Sequence, residues 1–197
     1  MANVILIRPG STLYDEENRV QGILDIPLSE RGRSEALRLA DVLAATEEGS
    51  SLTALYCGPS ENAVRTAEIL GKALGLRPKR IDEFRNLDQG LWQGLQVDEI
   101  KRRNSRLFRQ WIEDPRTICP PQGETVEEAI ARVRTALKPL CRRHAEEGFG
   151  LVVGEPLARL IACFLKRMER PQLEDQLPCC GVERIEIPAD FLGNGSS

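Results

Sequence analysis

"VILIRPGSTLYDEENRVQG" (residues 4–22) opens as a buried strand and closes as a polar loop. Residues 3–7, NVILI, are apolar and β-branched, the pattern of a short strand covered on both faces. Arg8 ends the run, and Gly10, Ser11 and Thr12 follow with an unhindered amide and two hydroxyls. A strand end that delivers a cation and a loop of free donors is suited to phosphate. Between them, where a nucleophile would stand, the chain has Pro9. Proline offers no N–H and no reactive atom, fixes φ, and drives the preceding Arg8 toward extended geometry. The shape of such a loop can persist where its chemistry cannot.

The rest of the chain alternates strands and helices. A helix follows Ser29, its predicted N-cap, with Ala36, Leu39, Ala40 and Leu43 at helical spacing. Residues 52–57, LTALYC, read as a second strand. The next helix, SENAVRTAEILGKALG, carries an Ala63, Ala67, Leu70, Leu74 stripe and a Gly75 C-cap. RPKRIDEF is a short strand that Pro78 assigns to an edge. LQVDEIKRR and SRLFRQWIED are short helical pieces, and PRTICPPQG is a loop. ETVEEAIARVRTALKPLCRRHAEE is a long helix buried through Val126, Ile130, Val133, Leu137 and Leu140, with Pro139 a predicted kink. Residues 149–154 form a strand, Pro156 starts a helix, and residues 181–187 form a last strand. This order predicts a three-layer αβα sandwich around a mostly parallel sheet. Ligands in such sheets sit at the C-terminal strand ends, here Arg8-Pro9-Gly10, Cys57-Gly58-Pro59 and Gly154-Glu155-Pro156. One domain over residues 1–190 and a flexible tail over 191–197 are expected.

Composition narrows the function. The 197 residues carry a formal net charge of -3, which gives no basic field for nucleic acid. No apolar run approaches the length of a membrane span, and the N-terminus lacks a signal peptide's pattern. The six Cys form no CxxC pair, so they are expected as reduced thiols in a cytoplasmic protein. One His, His144, excludes a multi-His metal site; it is expected as a solvated or capping residue at a helix end. No metal and no cofactor are expected.

The strand ends resemble those of the histidine phosphatase superfamily, whose fold is phosphoglycerate mutase-like. The superfamily's opening L-[VI]-R-H-G-E-T stands here as LIRPGST (6–12), and its Q-G-x-x-D-x-P-L-S-x-x-G as QGILDIPLSERG (21–32). R-A-x-x-T-A stands as NAVRTA (62–67), and L-R-E-x-x-x-G-x-W-x-G as FRNLDQGLWQG (84–94). G-E-S stands as GET (123–125), and V-V-S-H-G as VVGEP (152–156). Six blocks in order span nearly the whole chain.

The resemblance implies a mechanism in which one His attacks phosphorus, two Arg and a second His hold the phosphoryl oxygens, and a Glu protonates the leaving group. Charge spreading over those oxygens requires cations already in place. Carried over position by position, the nucleophile is Pro9, the first Arg survives as Arg8, the second is Asn62, the acid is Asn86 and the second His is Glu155. A carboxylate in place of a cation reverses the field by ~4 kcal/mol at about 4 Å and an effective dielectric of about 20.

The resulting expectation is a catalytically inactive homologue, a pseudoenzyme with a binding, regulatory or scaffold role. Its pocket candidates are Arg8, Gly10, Ser11, Thr12, Gln21, Arg65 and Glu155, with Arg65 as the cation to replace the one lost at Asn62. Arg8 and Glu155 are expected to meet across adjacent strand ends. The alternative is a divergent hydrolase using Glu155 or Cys57 near Arg8. CGPSENAVR (57–65) places seven residues between Cys and Arg, whereas a phosphatase cysteine loop needs five. KRRNSRLFR (101–109) reads as a solvated helical face or as a lid. The partner is an unknown small molecule or protein, and the oligomeric state is open.

Overall fold

A computed structural model of the chain describes residues 3–168, 173 and 176–189. The predicted tail, 191–197, lies outside the described residues. The sheet comprises β1 (Asn3–Ile7), β2 (Leu52–Cys57), β3 (Lys79–Arg80), β4 (Gly148–Val152) and β5 (Val182–Glu186), in the order β3-β2-β4-β1-β5. All pairings are parallel except β1 with β5. Strand alternation splits the core in two. Val4 and Leu6 of β1 join Phe149 and Leu151 of β4 on one face, while Ile5 and Ile7 join Val152, Leu55 and Cys57 on the other.

The helices α1 (Leu13–Glu16), α2 (Glu30–Ala44), α3 (Glu47–Ser50), α4 (Glu61–Leu74), α5 (Val97–Arg103), α6 (Ser105–Glu113), α7 (Val126–Arg143) and α8 (Leu157–Leu165) complete three layers. Ala40 and Leu43 of α2 and Ala63, Ala67 and Leu70 of α4 cover one face. Val133 and Leu137 of α7 and Leu157 and Ile161 of α8 cover the other. Ser29 caps α2 by accepting the Gly32 N–H at 3.0 Å, and Gly75 ends α4 at φ 67°.

Several details differ from the sequence reading. The RPKRIDEF strand shrinks to Lys79–Arg80 and turns at once into a 3-10 turn, Asp82–Phe84, at the sheet edge. Pro139 lies within α7, where the sequence places it, and the helix ends at Arg143 rather than running on through Glu147. PRTICPPQG contains a 3-10 turn, Pro115–Thr117. The one-turn helices α1 and α3 were not expected from apolar periodicity, since four residues show none; Thr12 and Thr46 cap them. His144 is the C-cap of α7 and is buried rather than solvated, its Nε2 3.0 Å from the Tyr56 hydroxyl and its ring against Phe149. Burial holds its pKa below the ordinary value. Among the described residues, no helix is long and apolar enough to cross a membrane.

The loop after β1 is pressed onto α2. A Cβ at Gly32 would lie 1.9 Å from the Ser11 carbonyl oxygen, and one at Gly10 would lie 2.3 Å from the Gly32 carbonyl oxygen. In an open helix Gly32→Ala would gain about 1 kcal/mol of propensity. Here the backbone clash dominates, and urea unfolding of Gly32→Ala is expected to show a loss of about 1–3 kcal/mol.

Candidate functional site

The C-terminal ends of β1 and β4, with Asn62 in the first turn of α4, open into a cleft of about 610 Å³; the expected third strand end, Cys57-Gly58-Pro59, does not line it. Pro9, Asn62, Asn86 and Glu155, the four positions where the sequence departs from the motifs, all line it, as do Arg8, Gly10 and Gln21. Ser11, Thr12 and Arg65 do not. Arg65 is solvent-facing on α4 and pairs with Glu68 at 2.8 Å, so the turn of helix that separates it from Asn62 carries it away from the cleft. The expected replacement cation is therefore not supplied from α4.

The two hydroxyls of the loop have structural work. Ser11 donates its Oγ–H to Glu35 at 2.6 Å and its amide to the same carboxylate at 3.0 Å. Thr12 donates its hydroxyl and its amide to Asp15, both at 2.8 Å, in a capping box that starts α1. Gly10 donates its amide to the Thr66 hydroxyl at 3.1 Å, tying the loop to α4.

Asp15 is also the ion-pair partner of Arg8, at 2.6 Å. This corrects the expected Arg8–Glu155 pair. The other Arg8 nitrogen donates to the Leu177 carbonyl at 2.6 Å. Glu155 instead accepts two backbone amides, Leu177 N–H at 2.9 Å and Arg159 N–H at 3.1 Å. The second amide belongs to the first turn of α8, where an anion is favoured. Burial still outweighs these bonds and the nearby arginines, and the Glu155 carboxyl is held above its ordinary pKa.

Asn86 is fully engaged. Its Nδ2 donates to the carbonyls of Gly22 at 3.1 Å and Glu155 at 2.7 Å, and its Oδ1 accepts from Leu87 at 2.9 Å and Leu157 at 3.3 Å. It joins three loops at the cleft floor. Arg132 of α7 supports this floor from behind. It pairs with Glu124 through two nitrogens, at 2.7 and 2.8 Å, and donates to the Asn86 carbonyl at 3.1 Å.

Cys57 is 1% exposed within the core, away from the cleft lining, and burial pushes its thiol up to about 11. It does not stand beside Arg8 as a nucleophile. The basic run 101–109 closes one side of the cleft: Lys101 of α5 and Phe108 of α6 line it together with Trp111 and Ile112. This is the lid position rather than a wholly solvated face. Among the described residues, no group of three or more His, Cys, Asp or Glu could hold a metal ion.

Asp15, Glu35, Gln89 and the Arg132–Glu124 pair escaped the sequence reading. The T-x-x-D spacing of Thr12 and Asp15 is the signal for the first. Glu35 and Arg132 pair across distant elements and carry no local signature.

Residues 4–190 match the histidine phosphatase superfamily, branch 1. Phosphoserine phosphatase 1 of Hydrogenobacter thermophilus is 29% identical over 165 residues, covering 84% of this chain and 76% of that protein. Probable phosphoglycerate mutase GpmB of Salmonella choleraesuis is 27% identical over 198 residues, covering 99% and 90%. The structure of Bacillus stearothermophilus YhfR superposes with a TM-score of 0.82 at 27% identity, covering 95% and 92%. A mycobacterial glucosyl-3-phosphoglycerate phosphatase in complex with VO3 superposes at 0.86 and 24% identity, covering 96% and 93%, a likeness of fold.

Glu35, which holds the Ser11 loop, and Glu155, in the cleft, respond oppositely to pH. Burial raises the Glu35 pKa, but the Ser11 bonds and Arg31 outweigh it and hold the carboxyl below its ordinary 4.5. Its contribution is present above about pH 4.5 and lost as pH falls through the folded value. For Glu155 the folded state binds the proton more tightly, so stability falls as pH rises from about 4.5 through its raised pKa. Melting curves from pH 3 to 8 are expected to show Glu35→Gln losing about 1–3 kcal/mol at pH 7 and converging with wild type in acid. The wild-type advantage over Glu155→Gln is expected to shrink as pH rises.

Proposed function

This chain belongs to the histidine phosphatase superfamily, and from a cleft without a histidine we propose that it is a non-catalytic member that binds a ligand rather than transferring phosphate. One observation carries the reading. The single His of the chain, His144, lies buried at the end of α7 against Tyr56 and Phe149, while Pro9 and Glu155 occupy the two strand ends where the resemblance implies histidines. A phosphohistidine cannot form without a histidine within reach of the phosphoryl group.

The remaining positions support the same conclusion. The acid position holds Asn86, which has no acidic proton to give and whose four hydrogen bonds already join the floor. The second cation is absent at Asn62, and Arg8 is neutralised by Asp15 at 2.6 Å. Glu155 places a carboxylate on the amides of Leu177 and Arg159, donors of the kind that would otherwise serve an anion. The protein's own anion occupies that place and repels a second one.

Phosphoserine and p-nitrophenyl phosphate, incubated with the purified chain, are expected to release no phosphate above the protein-free rate. Neither phosphate nor phosphoserine is expected to raise the wild-type melting temperature. Glu155→Gln removes the competing charge, and millimolar phosphate is expected to stabilise this variant by about 1.4 kcal/mol at tenfold excess over Kd. Turnover by the wild type that survives repurification would overturn the reading.

A further inference from the structure

Two carboxamides on the cleft wall leave polar atoms open to the cleft, without a protein partner among the described residues. Gln89 is 8% exposed, lines the cleft, and has no side-chain hydrogen bond among the described residues. Asn62 is 4% exposed and also lines the cleft. Its Oδ1 accepts the adjacent Ala63 N–H at 2.9 Å, but its two N–H donors have no partner among the described residues. Their polar atoms are not sealed from solvent, so two carboxamides on one cleft wall offer donors and acceptors that a ligand can take over from water. Asn86 provides the internal contrast, for on the same wall it makes four bonds to the fold.

The chemistry of the wall limits the ligand. A carboxamide both donates and accepts without charge, which matches hydroxyls and uncharged heteroatoms. The formal charges deeper in the cleft are already matched, Arg8 by Asp15 at 2.6 Å and Glu155 by two amides. A neutral ligand leaves both arrangements intact, whereas an anionic one meets the Glu155 carboxylate; Arg19 and Lys101, also in the lining, are paired with Glu17 at 2.5 Å and Asp98 at 3.6 Å. Phe108, Trp111 and Ile112 add an apolar side for the flat face of a ring. A cleft of about 610 Å³ is of ordinary size for a small molecule.

We propose that the cleft binds an uncharged, hydroxyl-bearing ring compound of glycoside or nucleoside size, held by the carboxamides of Asn62 and Gln89. The proposal rests on the reading that the cleft binds without phosphoryl transfer, and it names the class of ligand.

The test uses matched pairs: methyl glucoside with glucose 6-phosphate, and adenosine, guanosine, cytidine and uridine with their 5′-monophosphates. Saturation-transfer NMR and calorimetry on the full chain are expected to detect an uncharged member binding at least tenfold more tightly than its phosphate ester. Which pair responds separates a glycoside from a nucleoside. Gln89→Leu is expected to weaken that binding at least tenfold with an unchanged or raised melting temperature, since the amide holds nothing in the fold. Asn62→Asp keeps the acceptor facing Ala63, removes both donors, and is expected to weaken binding similarly. Silence from every uncharged compound, or binding undiminished in Gln89→Leu, overturns the proposal. Tighter binding of the phosphate esters without turnover also overturns it and leaves the non-catalytic reading standing. Hydrolysis of the esters overturns the reading beneath it.

Discussion

Leu177 is held from both sides by the two charged strand ends. Arg8, at the end of β1, donates to its carbonyl at 2.6 Å, and Glu155, at the end of β4, accepts its N–H at 2.9 Å. The chain arriving at β5 is thereby fixed across the mouth of the cleft, with the Arg8 amide donating to Gly181 at 3.0 Å and the Cys180 amide to Pro9 at 3.2 Å. A guanidinium and a carboxylate at neighbouring strand ends would ordinarily pair directly. Here each binds backbone instead, and Arg8 takes Asp15 as its counter-ion. Hydrogen bonds to charged groups are roughly twice as strong as neutral ones, which suits them to pinning a segment that has few apolar contacts of its own. Arg8 thus has a role that needs no phosphate, and its presence in the sequence is not by itself a sign of phosphoryl chemistry.

The strands were legible because burial writes itself into composition. β1 and β4 are covered on both faces, so their residues are apolar almost without a break, and periodicity needs no tertiary information to find them. The same holds for the α4 stripe and for the Ser29 and Gly75 caps, which are local signals. β3 was overdrawn because an edge strand of two residues pairs on one side only and carries no apolar pattern. At the cleft, the strand ends were legible for a topological reason: a parallel sheet brings its C-terminal ends together whatever the loops contain.

The partners of the charges were not legible. Arg8 sits seven residues from Asp15 but on the far side of a loop whose course depends on Gly10 and Gly32 meeting backbone to backbone. Arg65 was assigned to the cleft by its distance from Asn62 along the chain. Three residues of helix advance a side chain about 4.5 Å along the axis and offset it by about 60°, and at this position that places Arg65 in solvent beside Glu68. The state of an amide is equally invisible. Asn86 and Gln89 lie three residues apart with near-identical chemistry, and among the described residues the fold engages both carboxamide atoms of one and neither of the other.

That difference bears on whether the cleft is a relic or a working site. A disused pocket kept for packing has no reason to hold open a volume of about 610 Å³ or to line it with unmatched carboxamides. The polar atoms of Asn62 and Gln89 stay in contact with the solvent of the cleft, so keeping them there costs the fold little. Leu87 and Trp92 nearby show that this stretch of chain accommodates apolar residues in the core, so packing does not require an amide at Gln89. Arg8 and Glu155 have been drawn into the scaffold while the carboxamides of Asn62 and Gln89 have been left facing the cavity, and that division follows the line between what phosphate would need and what an uncharged ligand would use.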